Sequence, residues 1–368
     1  MKKLRSGYTT GACAAAAAKA AALLLVTGVT RDKVEIPFPD GSRVKFDLVP
    51  VDIEDVEMAA SRACVIKDAG DDPDVTNGAR IEATVCFCGK SNAGGEQFSI
   101  LGGKGVGKVT KPGLAVSVGQ PAINPMPQKM IRAAVAEALA EGGKEPDSCL
   151  EITISIPEGE ALAEKTLNHR LGVVGGLSVL GTTGIVRPVS ADAWTATIAT
   201  SMDVAKEAGL KEIILSTGRT SERAVEEYLG FPEEALVMMG DYLQFSLEEA
   251  AKHKFSKIHL AAMWAKVMKG GMQIPQTHVR NGALEVKAAL KFLQGLGCSP
   301  DTLRALDGSN TAREIYGRLL DLGEKQMVMK VCDAARQYGE QVSGMEVVVY
   351  LVDASTNIVA RSSRKKQT

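Results

Sequence analysis

The spacing of apolar and polar residues changes rhythm near residue 170 of this 368-residue chain. Before that point the pattern is irregular. Ala12–Thr27 is almost continuous Ala, Leu and Val, broken only by Lys19, which predicts a buried helix stopped by Gly28. Val34–Pro37 and Val44–Val49 flank a Pro-Asp-Gly turn and read as paired strands. Arg80–Cys88 and Leu150–Ile156 read as further strands. Between them PAINPMP leads into a helix over Gln128–Glu141 that ends at Gly142-Gly143. This mixture predicts an α+β domain over residues 1–160.

Beyond residue 170, strand-like and helix-like runs alternate. Val173–Leu180, Glu212–Ser216, Ala235–Met239 and Lys257–Met263 read as strands. Ala193–Ala208, Ser221–Leu229 and Phe245–Lys252 read as the helices between them, and another helical stretch follows Met263. That order predicts a Rossmann-like α/β domain with a parallel sheet over residues 161–345. A C-terminal strand pair (Glu346–Val352 and Asn357–Ala360) and a tail fill 346–368. Sheets of this kind hold ligands at the carboxyl ends of their strands. The turns expected there are Gly181-Thr-Thr-Gly184, Ser216-Thr-Gly-Arg219 and Gly240-Asp241.

Composition narrows the partners. A net charge of −1 and 4% aromatic residues argue against nucleic acid, which needs clustered cations or stacking platforms. The basic start followed by a small-residue run is not a secretory signal, because no apolar core precedes Cys13. No run reaches the ~18 uncharged apolar residues of a membrane span. The seven cysteines are scattered and read as buried, reduced thiols of a cytoplasmic protein. Cys86 and Cys88 share a strand face, but nothing completes a metal site around them.

Three motifs carry candidate chemistry. Leu101–Gly113 places five glycines and three lysines in thirteen residues. Gly102-x-x-x-x-Gly107-Lys108 approaches a triphosphate loop. Val109, however, stands where a magnesium-binding hydroxyl belongs, and Lys111-Pro112 opposes the helix that should follow. The better readings are a carboxylate cradle of backbone amides with Lys104, Lys108 and Lys111, or a structural glycine turn. Lys67–Gly78 holds Asp68, Asp71, Asp72 and Asp74, but lacks the register of a calcium loop. Crowding would raise carboxylate pKa values and make a proton acceptor of one, while local bonding to the backbone would make the segment a turn. Gly7-Tyr-Thr-Thr-Gly-Ala12 caps the first helix through Thr9 or Thr10, at an end that also suits an anion. Among the four histidines, only His278 stands in a polar loop context.

Taken together, Arg5–Ala14, Lys67–Gly78, Gly105–Leu114, Pro121–Pro125 and Gly175–Val186 resemble the CbiD family, in order along the chain. The resemblance implies a cobalt-precorrin-5B carbon-1 methyltransferase of anaerobic cobalamin synthesis. S-adenosylmethionine would be the methyl donor, and cobalt would arrive inside the corrinoid substrate. No resident metal, nucleic acid or membrane is then required, and a homo-oligomer is left open. Thr9, Thr10, Gly11, Lys67, Lys104, Gly105, Gly107, Lys108 and Lys111 become the residues expected to meet the substrate's carboxylates. Asp71, Asp72, Asp74 and His278 become the candidates for the base that makes carbon 1 electron-rich. Gly175, Gly176, Gly181, Thr182, Thr183, Gly184, Thr217, Gly218 and Arg219 are the expected donor contacts. Gly240-Asp-Tyr-Leu-Gln and Ala261-Ala-Met-Trp-Ala depart from the family pattern, whereas Lys266, Thr277 and His278 keep to it.

Overall fold

The computed structural model describes residues 4–51, 60–88, 97–144, 149–277 and 285–363. It is a mixed α/β chain of two compact units, residues 1–190 and 191–368.

The first unit runs β1 (Gly7–Tyr8), α1 (Thr10–Thr27), β2 (Lys33–Pro37), β3 (Arg43–Asp47), β4 (Ala60–Ile66), β5 (Arg80–Phe87), β6 (Phe98–Gly102), β7 (Lys108–Val109), α2 (Pro125–Glu141), β8 (Leu150–Ser155), α3 (Gly159–Ala163), β9 (Val173–Val174) and β10 (Ile185–Val186). Its main sheet has the order β4-β5-β8-β6, with only β6 and β8 parallel. Ile81, Ala83, Val85, Ile152 and Ile154 face a core shared with α1 and α2. The alanines of α1 let neighbouring elements come close on every side, so Thr10 to Leu23 are all buried. By length and composition this helix is apolar enough to cross a membrane, but most of it is covered by protein. Gly28, at φ 70°, ends it with a left-handed cap whose N–H bonds the Leu24 carbonyl.

The second unit runs α4 (Ala191–Glu207), β11 (Glu212–Ser216), α5 (Arg219–Leu229), β12 (Leu236–Met238), α6 (Leu243–Lys252), β13 (Lys257–Met263), α7 (Trp264–Gly271), α8 (Val286–Gly295), α9 (Pro300–Leu306), α10 (Ala312–Asp321), α11 (Lys325–Ser343), β14 (Glu346–Val352) and β15 (Ile358–Arg361). One sheet holds the five strands in the order β12-β11-β13-β14-β15. The first four are parallel and β15 is antiparallel. Alternation along β11 sends Ile213 and Leu215 into one core and Ile214 into the other, so the sheet is covered on both faces.

Four expectations change. The division falls at Ser190/Ala191 rather than at 160/161, because β9 pairs with β7 and β10 with β1. Val173–Leu180 is not a strand of the parallel sheet. Only Val173–Val174 is extended in a ladder, within the first unit. The C-terminal strands are not a separate pair, since β14 lies inside the sheet, parallel to β13. Two cysteines are not free thiols. Cys88 and Cys149, at the adjoining ends of β5 and β8, form a disulfide with their Cα atoms 5.5 Å apart. The other five remain thiols, and burial pushes Cys13 and Cys332 up to about 12.

Candidate functional site

In the first unit the three motifs interlock. Thr9 caps α1 by accepting the Ala12 N–H at 3.2 Å, and its own N–H bonds the Gly184 carbonyl. The Thr10 hydroxyl accepts the Leu180 N–H at 3.0 Å, and the Gly11 N–H bonds the Leu180 carbonyl. Thr9 and Thr10 are buried, and their polar atoms hold the 178–184 segment rather than facing solvent. Gly181 is seated directly on Thr9, and Gly184 on the Phe38 ring. Gly175, Gly176, Gly181, Thr182, Thr183 and Gly184 therefore belong to the first unit, not to the carboxyl edge of the parallel sheet. The expectation that they share that edge with Thr217, Gly218 and Arg219 is corrected on that ground.

Five amides of the Gly-Lys loop are used within the fold. The N–H groups of Gly103, Val106, Gly107, Val109 and Thr110 bond the carbonyls of Ile154, Gly103, Leu177, Gln120 and Gly172. Its glycines allow backbones to cross. A Cβ on Gly105 would lie 1.9 Å from the Ile156 carbonyl oxygen, and one on Gly176 would lie 2.2 Å from the Gly105 carbonyl oxygen. What the loop presents outward is charge. Lys104 and Lys108 are exposed, with no ion pair among the described residues. Lys111 is half-buried and reaches the Arg170 carbonyl at 3.4 Å.

The acidic segment is a bonded turn rather than a set of mutually repelling carboxylates. Asp68 accepts the Arg5 guanidinium and the Gly70 N–H, which hold it below the usual carboxylate range. Asp71 accepts the Arg5 N–H at 2.7 Å. Asp72 accepts the N–H of Val189 at 2.8 Å, a residue at φ 54°. Burial alone would raise Asp74, but Lys67 at 2.6 Å and Thr76 outweigh it and hold the carboxyl low. Lys67 is itself buried by this pair, so it is not the surface cation expected of a substrate contact. His278 lies outside the described residues.

A cavity of about 360 Å³ between the hairpin of β2 and β3 and the helices α1 and α2 is also lined with charge. There Lys19 pairs with Glu137 and Glu141, and Arg43 pairs with Glu35 and Glu137. Arg43 and Lys19 pull Glu137 down to about 2. Each of these groups thus has an ion-pair partner within the unit. Among the described residues no group of three or more His, Cys, Asp or Glu is arranged to hold a metal.

In the second unit, the carboxyl ends of β11 and β12 are tied by bonds from the Met239 and Gly240 N–H groups to the Ser216 carbonyl. Thr217 and Gly218 lead from β11 into α5, and Arg219 is exposed at its start. Beside them stands a polar cluster that sequence reading did not assemble. The Asp241 carboxylate accepts the Lys266 ammonium and the Thr277 hydroxyl. Lys266 and Lys269 both donate to the Thr277 carbonyl, at 2.9 and 3.0 Å. Burial, with Lys266 adding to it, pushes Lys269 below its ordinary value. Trp194, from α4, leans on Gly240 and donates its indole N–H to the Met239 carbonyl at 3.2 Å. The sequence signals for the cluster were the turn position of Gly240-Asp241 and the family match of Lys266 and Thr277, but nothing in spacing joins them, because the members arrive from α4, α7 and the segment after α7. Two of the other histidines have structural partners: His259 lies between Glu212 and Tyr350, and His253 beside Asp203.

Known proteins match both units. Residues 1–188 match the CbiD family, and residues 276–363 match its C-terminal domain. A cobalt-precorrin-5B C(1)-methyltransferase of Desulfotalea psychrophila is 53% identical, over 97% of this chain and 98% of its own. The protein of the same name from Geotalea daltonii is 45% identical, over 92% and 93%. The crystal structure of a cobalamin biosynthesis protein (cbiD) from Archaeoglobus fulgidus aligns at a TM-score of 0.39 with 25% identity, covering 87% of this chain and 85% of its own.

Proposed function

Because the chain belongs to the CbiD family, we propose that it is a C-methyltransferase acting on carbon 1 of cobalt-precorrin-5B in cobalamin biosynthesis. The observation that carries this is identity of 53% along nearly the whole length of a relative bearing that name. In this reading the donor is S-adenosylmethionine, the products are cobalt-precorrin-6A and S-adenosylhomocysteine, and the enzyme works in the cytoplasm. Cobalt belongs to the substrate.

The donor supplies a methyl carbon already activated on a sulfonium. The chain's task is then alignment, which can lower a barrier by about 7–11 kcal/mol. The corrin precursor is edged with acetate and propionate groups. Lys104 and Lys108, outward on a loop locked by its own glycines, are the cations offered to them, and each charge-assisted bond contributes roughly 1.5–3 kcal/mol. The proton acceptor is Asp71, Asp72 or His278. Asp74 leaves that group because Lys67 already holds its charge. The second unit's sheet is taken as a Rossmann-like dock for the donor, with Thr217, Gly218 and Arg219 at its carboxyl edge. That edge offers an open indole and paired charges of both signs, which suit a nucleoside joined to an amino acid.

Anaerobic incubation of the purified chain with cobalt-precorrin-5B and methyl-labelled S-adenosylmethionine tests the reading. Label in the corrin at carbon 1 is the expected result. Tight corrinoid binding with no label transferred would favour a non-catalytic carrier instead.

A further inference from the structure

The carboxyl edge of the second unit's sheet carries an open indole next to a carboxylate–ammonium pair. Trp194 is 44% exposed, whereas the chain's other tryptophan, Trp264, is 5% exposed. The open indole is nevertheless fixed. Its N–H is bonded to the Met239 carbonyl, and its ring edge lies where a Cβ on Gly240 would be only 3.0 Å away. Gly240 sits at φ 58°, so a side chain there would meet both steric and backbone strain. The sequence thus keeps a rigid aromatic surface clear at this place.

The next residue, Asp241, begins the charge cluster. Its carboxylate and the Lys266 ammonium are each about a quarter exposed, so a ligand can reach both signs of charge at one point. Lys269 lies behind them, buried, and ties the same Thr277 carbonyl that Lys266 bonds. A stacking face beside a reachable carboxylate and ammonium fits a molecule with a purine at one end and an α-amino acid at the other. Neither end alone would use all three groups.

We infer that Trp194, Asp241 and Lys266 form the donor-binding site, with the indole stacking on adenine and the Asp241–Lys266 pair meeting the α-ammonium and α-carboxylate of S-adenosylmethionine. This rests on the methyltransferase reading and adds to it the site's location and the division of labour within it. Thr217 and Gly218 flank the same edge, because the Ser216 carbonyl joins the ends of β11 and β12.

The test is equilibrium binding to the full chain by calorimetry, with S-adenosylhomocysteine and 5′-methylthioadenosine, which lacks the amino-acid end. Trp194→Ala is expected to weaken both ligands by about fivefold to a hundredfold, the range that loss of one stacked base implies. Asp241→Asn and Lys266→Met are expected to weaken S-adenosylhomocysteine by roughly tenfold while leaving methylthioadenosine nearly unchanged. Fluorescence gives a second measurement should the charge variants fail to fold. In a Trp264→Phe chain the remaining emission comes from Trp194 and should be quenched as S-adenosylhomocysteine is added. Wild-type affinity in Trp194→Ala, or binding without any change in Trp194 emission, overturns the site while leaving the methyltransferase reading in place. Failure of the unaltered chain to bind S-adenosylhomocysteine overturns both.

Discussion

Val189 is a β-branched residue at φ 54°, exposed, with its N–H held by the Asp72 carboxylate. That conformation costs about 1–3 kcal/mol for a residue with a Cβ. Glycine avoids the strain but adds about 0.5–1 kcal/mol of unfolded-state entropy. Val189→Gly should therefore raise the melting temperature of the first unit by a few degrees, seen by calorimetry, and a fall would sink the argument. Asp74 gives a second test at the same scale. Its carboxyl is held low in the folded chain, so the stability it contributes is full above the unfolded value near pH 4 and is lost as pH falls through the folded one. Asp74→Ala leaves Lys67 buried without its partner and should cost about 3–5 kcal/mol at neutral pH. The variant's stability should also fall less steeply than wild type on acidification below pH 4, measured by urea unfolding across pH. An unchanged acid slope would remove Asp74 from the account.

At the scale of elements, the Gly-Lys loop separates two jobs that its sequence runs together. Gly105→Ala places a Cβ within 1.9 Å of a backbone oxygen, at a φ of 71°. It should cost at least about 3 kcal/mol or prevent folding. Gly175→Ala has the same handedness, at φ 80°, with nothing within 4 Å, and should cost only about 1–2 kcal/mol. Equal losses for the two in thermal unfolding would mean that crowding is not what the loop's glycines relieve. Lys104→Ala with Lys108→Ala should leave the melting temperature alone, because both side chains are exposed and unpaired among the described residues. It should raise the KM for the corrinoid about tenfold or more, an effect that shrinks in high salt. A wild-type KM in the double variant would deny the lysines a substrate role.

Much of the fold was legible along the chain, and the reasons are local. The α1 stop at Gly28 and the strands Glu212–Ser216 and Lys257–Met263 follow from periodicity and backbone preference. What escaped depends on partners distant in sequence. Val173–Leu180 looks like a parallel strand because its apolar run is the right length, yet its backbone groups are bonded within the first unit, to Gly105, Gly107, Ala122, Asn124, Asn168, Thr10 and Gly11. The acidic run looks like a titrating cluster until Arg5, Lys67 and Val189 supply its donors. The Asp241 cluster draws on four separate segments, so no spacing rule assembles it. At the scale of the whole molecule, each unit encloses its own core, and the second buries both faces of its sheet without help from residues before 191. Burial on that scale is what independent folding requires. A fragment from Pro188 to the C-terminus should then unfold in one cooperative transition and, on the proposed donor site, match the full chain in its measured affinity for S-adenosylhomocysteine, since Trp194, Asp241 and Lys266 all lie within it. Circular dichroism and calorimetry on that fragment would decide the matter. A cooperative fold that no longer binds would mean that donor recognition draws on the first unit, whereas loss of cooperative unfolding would mean that the second core is incomplete by itself.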